Sequence, residues 1–135
     1  MIVLDASAAV EIVQKTDIGL ALQSLACTNE KKITCELMRA EVASVFRKFA
    51  RTKGIDSTAA DRHLAEATAL PDEYYPLEDL QSEALRESIR LDHSVYDMFY
   101  FVLARRTGAT LFTTDRKLQT LCQKHGVNCI AKVEL

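Results

Sequence analysis

Four carboxylates stand where carboxylates are costly. Asp97 is the only charged residue between Val95 and Ala104, and Met98 to Ala104 is an unbroken apolar run. A helix of that composition is buried nearly all round. An isolated ionised carboxylate there needs a cation, hydrogen bonds or a proton. Glu41 has Leu37, Met38 and Val45 around it at helical spacing, so it borders a core-facing stripe. Asp5 and Asp115 each follow a strand-like run and precede a helix. In a parallel α/β sheet, ligands bind in the crevice outside the carboxyl ends of the strands. Together the four would form an oxygen-only site, which selects hard cations such as Mg²⁺ or Mn²⁺. A metal would neutralise their repulsion. Two ions roughly 3.5–4 Å apart can activate water and stabilise a leaving oxygen, so the chemistry is metal-assisted phosphoryl transfer.

Each acid also has a simpler reading. Asp5 and Asp115 are good helix N-caps. Glu41 could pair with Arg39 or Lys48 on a helix flank, and Asp97 could meet a buried basic residue. Residue types alone leave both readings open.

The elements that must position these acids alternate between strand and helix. Ile2-Val3-Leu4 reads as a strand buried on both faces. A helix follows, capped by Asp5 or Ser7, and a second runs from Lys15-Thr16-Asp17 to about Cys27. Lys32 to Cys35 is the next strand. Residues 36–53 form the clearest helix, with Met38, Val42, Val45, Phe46 and Phe49 on one face and Gly54 at its end. Asp56-Ser57 opens a helix to about Leu70, stopped by Pro71. Tyr74 to Leu77 is a weak strand, since Pro76 belongs at an edge or strand end. Helices over Leu80–Leu91 and from Ser94 to Gly108 follow. Thr110 to Thr113 is a strand, Arg116 to His125 a helix, and Val127 to Ile130 a last short strand. Strands separated by helices predict parallel pairing. The expected fold is α/β: one three-layer α/β/α sandwich with a central, mostly parallel sheet, spanning residues 1–135 as a single domain.

Composition agrees. The 135 residues are 48% hydrophobic and 27% charged, ordinary for a globular chain and enough for one core. No apolar run approaches the roughly 18–20 residues that span a bilayer. Asp5 interrupts the opening apolar residues, so neither a signal nor a transit peptide is read there, and a cytoplasmic location is expected. A net charge of −2 argues against coating nucleic acid by bulk positive charge. Cys27, Cys35, Cys122 and Cys129 show no CxxC spacing and read as small buried apolar residues.

Three stretches carry a resemblance over the whole chain: the opening IVLDASAAV, the central ELMRAEVASVFRK, and DHSVYDMFYFVLARRTGATLFTTDRKL. They resemble the PIN domain, a metal-dependent nuclease fold, and in particular the VapC-type toxins of toxin–antitoxin pairs. The resemblance implies that Asp5, Glu41, Asp97 and Asp115 are the acidic quartet binding Mg²⁺ or Mn²⁺. It implies supporting roles for Ser7, two positions after the first aspartate, and Thr113, in the T-x-D turn. It further implies cleavage of single-stranded or loop RNA by metal-activated water, leaving 5′-phosphate and 3′-hydroxyl ends, with a small antitoxin as partner and a homodimer as assembly. Met98 departs from the pattern, where alanine often follows the aspartate. A larger side chain there is expected to narrow the pocket or repack the helix.

Other groups are two-sided. Arg47, Lys48, Arg51 and Lys53, then Arg105-Arg106 and Arg116-Lys117, are phosphate contacts or merely solvated helix charges. Tyr74, Tyr75, Tyr96 and Tyr100 read as core or interface residues before base-stacking ones. His63, His93 and His125 have no ligand spacing, and a general-base role for His93 is redundant with a metal. The main alternative is a non-catalytic binding or assembly module on the same fold. A phosphoacceptor receiver fits poorly, because Asp79 lies too far past the Tyr74–Leu77 strand.

Overall fold

The computed structural model describes residues 1–26 and 29–130. Its elements, in chain order, are β1 (Ile2–Leu4), α1 (Ala6–Gln14), α2 (Asp17–Leu25), β2 (Lys32–Cys35), α3 (Leu37–Thr52), α4 (Ser57–Thr68), β3 (Glu73–Tyr75), a 3-10 turn (Leu77–Asp79), α5 (Gln81–Leu91), α6 (Val95–Thr107), β4 (Thr110–Phe112) and α7 (Arg116–Lys124). The strands form one parallel sheet in the order β3-β2-β1-β4. Val3 pairs with Ile33 on one side and Leu111 on the other.

The short apolar strands are covered on both faces, as parallel strands must be. Val3, Ile33, Cys35 and Leu111 join the larger core with Met38, Val42, Phe46 and the apolar run of α6. Ile2, Leu4 and Phe112 join a second core with Ala8, Ile12 and Leu22. This is the three-layer α/β/α sandwich expected. α6 lies against β1, β2 and β4, which explains why Met98 to Ala104 admits no polar residue but the tyrosine. Gly108 closes α6 at φ 68°, a left-handed conformation that favours glycine. Gly19 lets α2 approach α1, since a Cβ there would stand 1.9 Å from the carbonyl oxygen of Glu11.

β1 is central, and the chain moves outward to β2 and β3 before crossing back to β4. The order therefore reverses between β1 and β4, and a crevice opens beyond their carboxyl ends. β3 is an edge strand and Pro76 follows it, as a missing N–H requires.

Two expectations are corrected. Val127 to Ile130 is not a strand: it makes one parallel bridge, Leu111 with Cys129. Among the described residues its only strand neighbour is the three-residue β4, and Leu111 supplies both backbone bonds, to Asn128 and Ile130. Among the cysteines, Cys35 and Cys122 are buried, whereas Cys129 is only half-buried. Burial pushes the Cys35 and Cys122 thiols up to about 12, so they stay protonated. Cys27 lies outside the described residues.

Candidate active site

Asp5 and Asp115 are each the N-cap of the helix that follows their strand, α1 and α7. Asp5 Oδ1 accepts the Ala8 N–H at 2.9 Å and Asp115 Oδ1 accepts the Leu118 N–H at 3.0 Å. Capping and a site role are thus compatible, because a cap occupies one carboxylate oxygen. Glu41 lies on α3, one turn above the core-facing Val45. Asp97 sits in the first turn of α6, just before that helix enters the core. All four line one cleft of ≈ 310 Å³, together with Ala6, Ser7, Ser44, Val45 and Tyr100.

Each of these carboxylates is steadied by a protein donor. Ser7 Oγ donates to Asp5 Oδ1 at 2.6 Å and accepts the Thr114 N–H at 3.0 Å, so one hydroxyl ties the end of β1 to the turn after β4. Thr113, 1% exposed, accepts the Asp115 N–H at 3.1 Å and its hydroxyl lies 3.5 Å from that of Ser7. The Tyr100 hydroxyl donates to Glu41 Oε1 at 2.6 Å. His93 Nε2 lies 2.7 Å from Asp97 Oδ2 and donates to it when the carboxylate is ionised.

The electrostatics are those of crowded acids, with His93 the basic side chain placed against one of them. Burial pushes the Asp5 carboxyl up to about 6, against the lowering effect of Ser7, Thr113 and Ala8, and the charge of Asp97 adds to the rise. Burial likewise raises Glu41, with a further contribution from Asp97. Asp97 is raised by burial and by Asp115, partly offset by His93. The paired-cation reading fails for Glu41, whereas Asp97 does meet a half-buried basic side chain, His93. Arg39 is engaged by Glu36 at 2.8 Å and stacks on Tyr74, and the partner of Asp97 is a histidine. A hard divalent cation suits this donor set in chemistry and in charge. As the side chains stand, no group of three His, Cys, Asp or Glu among the described residues is arranged to hold one ion.

The remaining candidates separate. Met98 is fully buried in the larger core and does not line the cleft. Arg105 pairs with Glu83 and Glu87, and Arg106 with Glu83, tying α6 to α5; this pair is structural. Tyr74 bonds the Thr68 carbonyl, and Tyr96 is 58% exposed, outside the core reading. Sequence reasoning missed two cleft groups, Tyr100 and Ser44, and the bond that His93 makes to Asp97. Helical spacing held the signal for the first two, since Tyr100 is three residues after Asp97 and Ser44 three after Glu41.

No curated protein matches the sequence. Among solved structures, PAE2754 from Pyrobaculum aerophilum aligns with a TM-score of 0.70 at 26% identity, covering 88% of this chain and 82% of that one. VapC20 from Mycobacterium tuberculosis, a sarcin–ricin loop cleaving toxin, aligns with a TM-score of 0.69 at 17% identity, over 99% of this chain and 100% of that one. VapBC2 from Rickettsia felis, bound to a DNA fragment from its promoter, aligns with a TM-score of 0.67 at 15% identity, over 96% and 98%. The last two likenesses are likenesses of fold. Residues 2–124, which hold the whole sheet and all four cleft acids, match the PIN domain, and on that match the chain belongs to the PIN domain family.

Proposed function

We propose that this chain is a divalent-metal-dependent endoribonuclease and the toxin of a toxin–antitoxin pair. The observation that carries the reading is the convergence of Asp5, Glu41, Asp97 and Asp115, from two strand ends and two helices, on one cleft. Their oxygens would hold Mg²⁺ or Mn²⁺, which supplies water activation and charge stabilisation for phosphodiester hydrolysis. The chain's own groups then orient these acids. Ser7 fixes Asp5, Thr113 holds the backbone N–H of Asp115, Tyr100 fixes Glu41, and His93 fixes Asp97. The fold likeness to VapC20 and to VapBC2 supports RNA as substrate and a small antitoxin as partner. The same reading takes residues 1–135 as one domain, acting in the cytoplasm as a homodimer. Among the described residues, no helix is long and apolar enough to cross a membrane.

The test is cleavage of a labelled RNA by the purified chain with Mg²⁺ or Mn²⁺. EDTA is expected to stop it, and Asp97→Asn to abolish it while leaving the circular dichroism spectrum unchanged. Full activity in that variant removes Asp97 from the set. Partner binding indifferent to metal and to all four acids, with no cleavage, identifies a non-catalytic module.

A further inference from the structure

The acidic cleft does not end at its carboxylates. A second groove adjoins it, lined by Ser44, Val45, Arg47, Lys48, Arg51 and Thr52, and Ser44 and Val45 belong to both. α3 supplies every residue named in this second groove. At a rise of about 1.5 Å per residue, Lys48 lies about 10 Å and Arg51 about 15 Å beyond Glu41 along the helix axis. Glu41, Ser44, Lys48 and Arg51 follow one another at spacings of three or four, so they share a face.

These cations are uncommitted. Among the described residues, Arg47, Lys48 and Arg51 are exposed and make no ion pair, while Lys31, Arg39, Arg90, Arg105 and Arg106 all do. Neighbouring Lys53 is occupied over the Phe49 ring at 3.9 Å. Complementing the helix dipole does not account for Arg47 and Lys48, because that effect is confined to the last turn and they precede it.

We infer that Arg47, Lys48 and Arg51 form a phosphate-binding shelf that seats a single-stranded RNA beside the carboxylate cleft. The inference rests on the nuclease reading for the identity of the strand as substrate. A phosphodiester strand carries one charge per nucleotide at regular spacing, so seating one phosphate at the carboxylates brings its neighbours over the shelf. Guanidinium forks match phosphate oxygens in pairs, and the contact reads backbone, not sequence. The shelf thus contributes affinity and strand register, and leaves base preference to other surfaces.

The experiment compares wild type with the Arg47→Ala/Lys48→Ala/Arg51→Ala variant. The probe is a fluorescein-labelled single-stranded RNA of mixed sequence, followed by anisotropy across a salt series in Ca²⁺ buffer. The variant is expected to bind at least about tenfold more weakly. Its log–log salt slope should be shallower by about 2, from about 0.7 per lost phosphate contact. Lys15→Ala/Arg86→Ala/Lys124→Ala removes the same charge elsewhere and is expected to bind like wild type. Equal loss in both triple variants overturns the shelf, as does unchanged binding in the first or no binding by wild type. With fluorescein-labelled polyglutamate as a second probe, loss of its binding in the first variant while RNA binding stays intact overturns the shelf in favour of an acidic peptide. Wild type that binds RNA through the shelf but never cleaves it supports the shelf and sinks the nuclease reading. Cleavage by both proteins with the same KM does the reverse.

Discussion

The hydroxyl of Tyr100 donates to Oε1 of Glu41 at 2.6 Å, joining the helix that crosses the sheet to the helix flanking the cleft. Tyr100 is 1% exposed, and its own ionisation is pushed far up by burial, so it is a permanent donor. The bond lowers the proton affinity of a carboxylate that burial otherwise raises. Tyr100→Phe keeps the ring and deletes the donor. It is expected to cost about 1–3 kcal/mol of stability, the range for a hydrogen bond to a charged group. RNA cleavage should fall by about tenfold, the scale of losses when a ligand's supporting bond is removed. Denaturant melts and initial rates check both. Wild-type values in both would remove Tyr100 from the site's support.

The metal-free protein is expected to lose stability as pH rises from about 4 to above 6. Asp5 has its folded value at about 6, above the ordinary 3.8. Below 3.8 the folded and unfolded states are both protonated and burial costs nothing at this group. Between the two values the folded state holds more protons, so stability falls with pH. Above 6 both are ionised and the full penalty, about 3 kcal/mol, is present. Glu41 and Asp97 are raised too and push the same way. Urea denaturation in EDTA across this range should show the decline, Asp5→Asn should flatten it, and Mg²⁺ should restore stability above pH 6. A stability that climbs with pH in EDTA contradicts the account.

Met98→Ala separates core from cleft. Met98 is 0% exposed within the larger core, so truncation leaves a cavity and is expected to cost about 2–5 kcal/mol. Cleavage per folded molecule should not change, because Met98 does not line the cleft. A thermal melt combined with active-site-normalised rates checks this. Altered metal dependence in a folded variant would place Met98 at the site after all.

Much of this architecture was legible from particular residues. Asp5 and Asp115 announce themselves by sitting between an apolar strand and a helix, where the chain must turn at the sheet's carboxyl edge. Glu41 and Asp97 stand out because neighbouring residues bury them. Tyr100 was hidden by that same logic: an aromatic inside an apolar helix reads as packing, and only its contact with Glu41 shows that its hydroxyl has other work. His93 has no ligand spacing, and its bond to Asp97 depends on the turn between α5 and α6, where Asp92 takes a left-handed conformation. Residues 127–130 misled because β-propensity in a short segment says nothing about how long its partner strand is.

The central claim is that the four acids act together on one divalent cation site. A Mn²⁺ titration followed by electron paramagnetic resonance tests it most directly, using wild type and the Asp5→Asn, Glu41→Gln, Asp97→Asn and Asp115→Asn variants, each first shown to be folded. The account predicts saturable binding by wild type and at least about tenfold weaker binding by each variant, the scale of a lost ligand or its support. Four folded variants that all bind Mn²⁺ as wild type does would contradict it.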